Sequence, residues 1–171
     1  MAAGNTYEAI FTTTVGSATQ YVEFTSIPQT YTDLILVQFC KDSGTGTVNT
    51  NAQVGNGSYD TASNYSWTWL GGSGTTAASG RGSNNTQMYT GAASTTNFSV
   101  MTLHFMNYSN TTTYKTMLAR GSGADFSSGQ SVSAWVNLWR STAAINRIRV
   151  NPGSQTWAIG STFSLYGIKA A

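Results

Sequence analysis

One cysteine, Cys40, and one histidine, His104, are all that this chain has of those two side chains. Zinc wants clustered Cys and His ligands, so a dedicated metal cage has no material here. With no second thiol, a disulfide framework within the chain is excluded. Charge is nearly as scarce: Asp, Glu, Lys and Arg are 8% of 171 residues, and the net charge is +2. So small an excess of base does not imply nucleic-acid binding, and so little charge does not drive disorder by repulsion. No acid triplet resembles a calcium loop, and no strand-borne acid pair suggests a glycosidase. There is no G-x-S-x-G elbow and no Gly-rich stretch followed by GK[ST]. No apolar run approaches membrane-spanning length. "MAAGNTYEAI" has neither the basic nor the apolar region of a secretory signal. The expectation is a chain made in the cytoplasm, without membrane insertion and without a cofactor.

Hydroxyls, amides and glycine take up the composition instead. Thr (27), Ser (21), Gly (18) and Asn (13) account for 79 of the residues. Thr, Tyr, Val and Trp favour strands, and Ser, Gly and Asn favour turns, while the strong helix formers are thinly represented. Charge is unevenly spread. Through Asp60 there are five acids and one base, Lys41; beyond it there are one acid, Asp125, and seven bases. The acidic first third and basic remainder can pair within one subunit or between subunits.

Runs of period 2 recur between Gly/Ser/Asn breaks. They predict strands over 7–13 and 19–26, and over 32–40, where "TDLILVQFC" is apolar throughout its centre and predicts a strand covered on both sides. Cys40 in that run reads as a buried free thiol. "NYSWTWL" alternates strictly, with Tyr65, Trp67 and Trp69 on one face. "GGSGTTAASGRGSNN", residues 71–85, predicts a long loop of the mobile or functional kind. Later strands fall in "TQMYTGA", "NFSVMTLHFMNY", "YKTMLAR", "QSVSAWVNLWR" and "AAINRIRV", with "GSGADFSSG" as a second loop and "STFSLYGI" as the closing strand. About ten strands with little room for helices predict one all-β domain over 1–171, a jelly-roll-like antiparallel β-sandwich. In such a fold the first and last strands typically lie inside one sheet, and exposed edges gain cover by trimerisation.

Two sets of side chains are candidates for a contact surface. Tyr65, Trp67 and Trp69, with Trp135 and Trp139 flanking Asn137, are flat aromatics beside hydroxyl and amide donors. Such rings stack on sugars, and they equally fill a sandwich core or a subunit interface. Arg147 and Arg149 share a strand face, with Arg140 just before. They read as a solvated edge that discourages strand addition, or as a contact to acidic residues of a neighbour or to anionic sugars. His104 falls on the face of Val100 and Met106 and reads as packed or hydrogen-bonded rather than as a general base. Six Asn-x-Ser/Thr sequons follow from composition alone.

Five blocks, "MAAGNTYEAI", "IPQTYTDL", "NYSNTTTYKTML", "VNLWRSTAAI" and "GSTFSLYGIKAA", span nearly the whole chain. They resemble small tailed-bacteriophage virion proteins, a β-sandwich family of tail-fibre, adhesin and head-decoration modules. The resemblance implies a particle component that is not an enzyme, trimeric, and partnered by the major capsid protein or a tail component. It transfers no functional residue, because the shared blocks read as strands and turns. The expectation is therefore a virion structural protein on the particle exterior, a capsid decoration or a small appendage or fibre subunit. The short length, with no stalk besides the β-sandwich, favours the compact forms. The alternative is a receptor-binding tail-fibre tip or a carbohydrate-binding module recognising host surface glycans.

Overall fold

A computed structural model of the chain describes residues 6–46, 48–126 and 129–169. The described residues form thirteen strands and no helix. In chain order these are β1 (Tyr7–Thr14), β2 (Val22–Phe24), β3 (Asp33–Cys40), β4 (Val48–Asn56), β5 (Ser58–Tyr59), β6 (Tyr65–Ser73) and β7 (Thr76–Asn85). They continue as β8 (Met88–Ala93), β9 (Ser99–Met106), β10 (Lys115–Phe126), β11 (Gly129–Trp139), β12 (Arg147–Asn151) and β13 (Thr162–Ile168). All pairings are antiparallel. An eight-stranded sheet runs β1-β13-β3-β9-β10-β11-β6-β7. A five-stranded sheet runs β2-β12-β4-β5, with β8 also on β4. The fold is an all-β, two-sheet sandwich, as the alternating runs predict.

The core is built from the inward residues of that alternation. Leu34 and Leu36 on β3, Leu103 and Phe105 on β9, Met117 on β10, and Phe163 and Leu165 on β13 face one way. Opposite them stand Ala52 and Val54 on β4 and Ile148 and Val150 on β12, all but sealed from solvent. Each large apolar side chain so buried contributes roughly 1.5–3 kcal/mol. Trp157, fully buried, meets Phe163 edge-on with ring centroids 5.0 Å apart.

The closing strand lies inside its sheet, between β1 and β3. Its first-strand partner does not: β1 is the outer edge. Glu8 and Lys169 form an ion pair at 2.5 Å beside the β1–β13 pairing, so here an early acid meets a late base within one subunit.

Two loop expectations are overturned. Residues 71–85 are not a loop but the end of β6, a tight turn and the whole of β7. Ser73 pairs with Thr76, and Gly74 between them has φ 58°, the positive value that a two-residue hairpin turn needs at its first central position. The second expected loop is also largely strand: β10 runs to Phe126 and pairs with β11, while residues 127 and 128 lie outside the described set. The expectation that the third strand is covered on both sides is corrected as well. Leu34, Leu36, Gln38 and Cys40 are buried inward, but Ile35 and Val37 are only half-buried outward and Phe39 is 45% exposed. Among the described residues, no second layer covers that outer face.

Candidate functional site

The site begins with register. β6 and β7 form a symmetric hairpin in which Trp69 pairs with Gly80 and Trp67 with Gly82. A Cβ at Gly80 would lie 2.7 Å from Trp69 Nε1, and one at Gly82 2.7 Å from the Trp67 ring. At Gly71 a Cβ would lie 2.8 Å from Trp69 Cζ3. The indoles therefore occupy the space that side chains on these residues would fill. This is why a run of low β propensity forms a strand: its glycines receive the rings of the neighbouring strand.

β11 adds Trp135 directly opposite Trp69. The two rings stack with centroids 5.2 Å apart and planes 20° from parallel. Tyr89, on β8 of the smaller sheet, stacks on the same indole at 5.5 Å and 15°. Trp67 meets both Tyr89 and Trp135 edge-on at 5.3 Å. Trp135 Nε1 donates to Ser133 Oγ at 3.2 Å. Offset-parallel and edge-on pairs are the favoured geometries of aromatic rings. Asn137, fully buried on β11, fixes Tyr89 from below. Its Oδ1 accepts from the Tyr89 backbone N–H and its Nδ2 donates to the Tyr89 carbonyl, both at 2.9 Å. One side-chain amide thus ties the smaller sheet to the larger and sets the position of the Tyr89 ring.

These rings line a cleft of about 610 Å³ between the far ends of β6, β7 and β11 and the β4–β8 edge. Trp67, Trp69 and Tyr89 are half-buried there, and Trp135 is 8% exposed. Asn49, Ser131, Ser133 and Thr76 supply polar groups at the walls.

The other sequence candidates fall elsewhere. Tyr65 shares the inner face with Trp67 and Trp69 but is fully buried, its hydroxyl donating to the Asp60 carbonyl at 2.9 Å. Trp139, 3% exposed, donates from Nε1 to Asp60 Oδ2 at 2.7 Å. Both are core residues, which corrects their candidacy as contact residues. Arg140 clamps the Ser63 carbonyl and Asn84 Oδ1, tying the end of β11 to its neighbours. Arg147 and Arg149 share the outer face of the smaller sheet, but β12 is an interior strand between β2 and β4, not an edge. The Arg149 guanidinium lies over Tyr21 at 4.7 Å and Tyr59 at 4.5 Å, and its Nε donates to Gln53 Oε1 at 2.7 Å. Arg147 lies 5.3 Å from the Tyr59 ring centroid. Burial, reinforced by the charge of Glu23, pushes the Tyr59 hydroxyl up to about 12 against the two arginines. The arginines are thus held by aromatic faces, well apart from the cleft.

His104 is hydrogen-bonded, as its place in the sequence predicts: Nε2 lies 2.9 Å from Asp33 Oδ2 on the outer face, while Asp33 Oδ1 accepts from the Asn107 N–H. Cys40 is fully buried, and burial pushes its thiol far above the ordinary range. The described residues hold no group of three His, Cys, Asp or Glu side chains placed to bind a metal ion.

Sequence reasoning missed Tyr89 and the three glycines. The signal was present as two matched spacings, Trp67-x-Trp69 and Gly80-x-Gly82, placed symmetrically about Gly74 and Thr75.

No protein-family model matches this chain, and no curated protein does. Among solved structures, a protein of unknown function from Shewanella oneidensis MR-1 aligns over 100% of this chain and 82% of its own, at 10% identity and a TM-score of 0.21. A likeness that slight carries no argument about fold or activity.

Proposed function

We propose that this chain is a non-enzymatic virion protein on the exterior of a bacteriophage particle, a capsid decoration or small appendage subunit that assembles with copies of itself as a homotrimer. The observation that carries this reading is the outer face of the larger sheet. Leu70 and Val132 are each 65% exposed and Val136 is 51% exposed. They stand on the paired strands β6 and β11, with the half-buried Leu118 beside Val136 on β10. Exposed Arg81 and Arg120, opposite Thr68 and Ala134, rim the patch, and clustered apolar side chains with a polar rim on a sheet face mark an interaction surface rather than a solvated one. The sequence blocks that resemble phage virion modules support the same reading. Light scattering on the purified protein tests it: about three times the chain mass is expected, and V136K combined with L70K is expected to shift the mass to a monomer without lowering the melting temperature. A wild-type monomer at working concentration would remove the self-assembly claim.

A second reading is favoured by the aromatic cleft. In it, the chain is a receptor-binding tip or carbohydrate-binding module that recognises host surface glycans through Trp67, Trp69 and Trp135, with Tyr89 beside them.

A further inference from the structure

Among the described residues, charge is absent from the walls of the aromatic cleft. Every described residue that lines it is Asn, Ser, Thr, Gly, Ala, Val, Tyr or Trp. The five arginines and three lysines stand elsewhere: Arg147 and Arg149 are occupied on the smaller sheet, and Arg140 is clamped at the opposite end of β11. An anionic ligand entering here would lose hydration and meet no counter-charge among the described residues, which disfavours a carboxylate or sulfate. An uncharged ligand meets no such penalty.

The aromatic arrangement narrows the class further. Trp135 is 8% exposed and stacks with both Trp69 and Tyr89. It joins the other two rings, and the more exposed ring surface belongs to Trp69 and Tyr89. Trp69 Nε1 lies over Gly80 on the edge strand and has no hydrogen-bond partner among the described residues. A ring face beside an unpaired N–H suits a ligand that is apolar on one face and hydroxylated around its rim. Ser131, Thr76 and the Asn49 amide add polar groups around the walls. The cleft's 610 Å³ falls within the roughly 300–1,000 Å³ of small-ligand sites.

We infer that this cleft is a binding site for neutral saccharides, with Trp69 as the stacking platform and acidic sugars excluded by the uncharged walls. This rests on the second reading above, that the cleft binds glycan, and adds the charge class of the ligand and the residue that selects it. Tyr89 is a positioning residue for the stack, held by Asn137.

The test is calorimetric titration of the whole protein with maltohexaose, cellohexaose and mannohexaose as neutral probes, and with polygalacturonate and polysialic acid as acidic ones. At least one neutral probe is expected to bind, and the acidic ones to bind at least about tenfold more weakly. W69A is expected to weaken the neutral probe at least about tenfold, and W69F to restore part of the loss. A78R places a bulky cation in the cleft from an exposed edge-strand position. It is expected to remove neutral binding while the melting temperature holds, which keeps the test decisive should W69A fold poorly. Binding of an acidic probe that W69A or A78R abolishes would overturn the neutral selectivity and leave glycan binding standing. Absence of binding to every probe would overturn both. Loss of self-association in A78R, without any sugar binding, would assign the cleft to a subunit contact and overturn both as well.

Discussion

Gly80 sits directly across β6–β7 from Trp69, so close that a Cβ there would lie 2.7 Å from the indole nitrogen. A strand interior ordinarily gains from replacing glycine, by roughly 0.5–1 kcal/mol in backbone entropy. Here overlap with the ring opposes that gain, and overpacking typically costs about 1–3 kcal/mol. G80V and G82V are therefore expected to destabilise despite the higher β propensity of valine, and to displace Trp69 and Trp67 respectively. Near-ultraviolet circular dichroism and urea melts read both effects. An unchanged aromatic spectrum with raised stability would show that the glycines are not receiving the rings.

Strand positions followed from alternation wherever one face is buried. Phe163 and Leu165 on β13, and Ile148 and Val150 on β12, are legible because each alternates with a side chain that is not sealed in the core. β7 was illegible by the same rule, since Ala77, Ala78 and Ser79 are exposed and carry no contrast of hydropathy. Its partner's indoles, not its own side chains, supply the packing. Tyr65 and Trp67 looked equivalent because period 2 fixes the face but not the depth along it. Only the position of the smaller sheet decides that Tyr65 is covered and Trp67 is half-open. In the sequence Asn137 stands out only as the residue between two tryptophans, because its hold on Tyr89 joins residues 48 positions apart.

Asn137 is the clearest single load on that junction. N137A would leave the Tyr89 N–H and carbonyl without these bonds, at about 1–3 kcal/mol for each group left unpaired. N137D keeps the acceptor, loses the donor and introduces a buried charge, so it is expected to destabilise more than N137A at neutral pH. Chemical denaturation of the two variants checks the order, and a stability unchanged in both would show that Tyr89 is held by other contacts.

Phe163 has no exposed surface and packs edge-on against Trp157. F163A is expected to cost about 3–5 kcal/mol, a large share of the roughly 5–15 kcal/mol that stabilises a typical domain. The expected result is a large fall in melting temperature with aggregation on heating. A fall equivalent to less than about 1 kcal/mol would mean that the sandwich closes without its last strand.

Two aspartates give opposite pH dependences. Burial raises the Asp60 carboxyl, but donation from Trp139 Nε1, Asn64 Nδ2 and the Ala62 N–H outweighs it and holds the group below its ordinary value. Its contribution is complete above the unfolded value of about 3.9 and is lost as pH falls through the folded one. Asp42 is the reverse: burial dominates over the Gly44 N–H and the charge of Lys41, and its Oδ2 is buried without a partner. A carboxyl whose folded value is raised costs stability at neutral pH, and that cost disappears as pH falls through the raised value. D60N is expected to lower the melting temperature at pH 7 and flatten the fall below pH 4, and D42N to raise it at pH 7. Melting curves from pH 7 to pH 3 test both signs, and a D42N variant less stable than wild type at pH 7 would contradict the assignment of Asp42.

The central claim is that this β-sandwich is an exterior subunit of a phage particle, and its location is the most direct test. Antibody raised against the purified chain, labelled with gold and applied to intact particles purified from the cells that encode it, reads that location by electron microscopy. The expected image carries label at repeated, symmetry-related positions on the outside of the particle. Particles that lack the chain altogether, or that take up label only after the heads are opened, would contradict it.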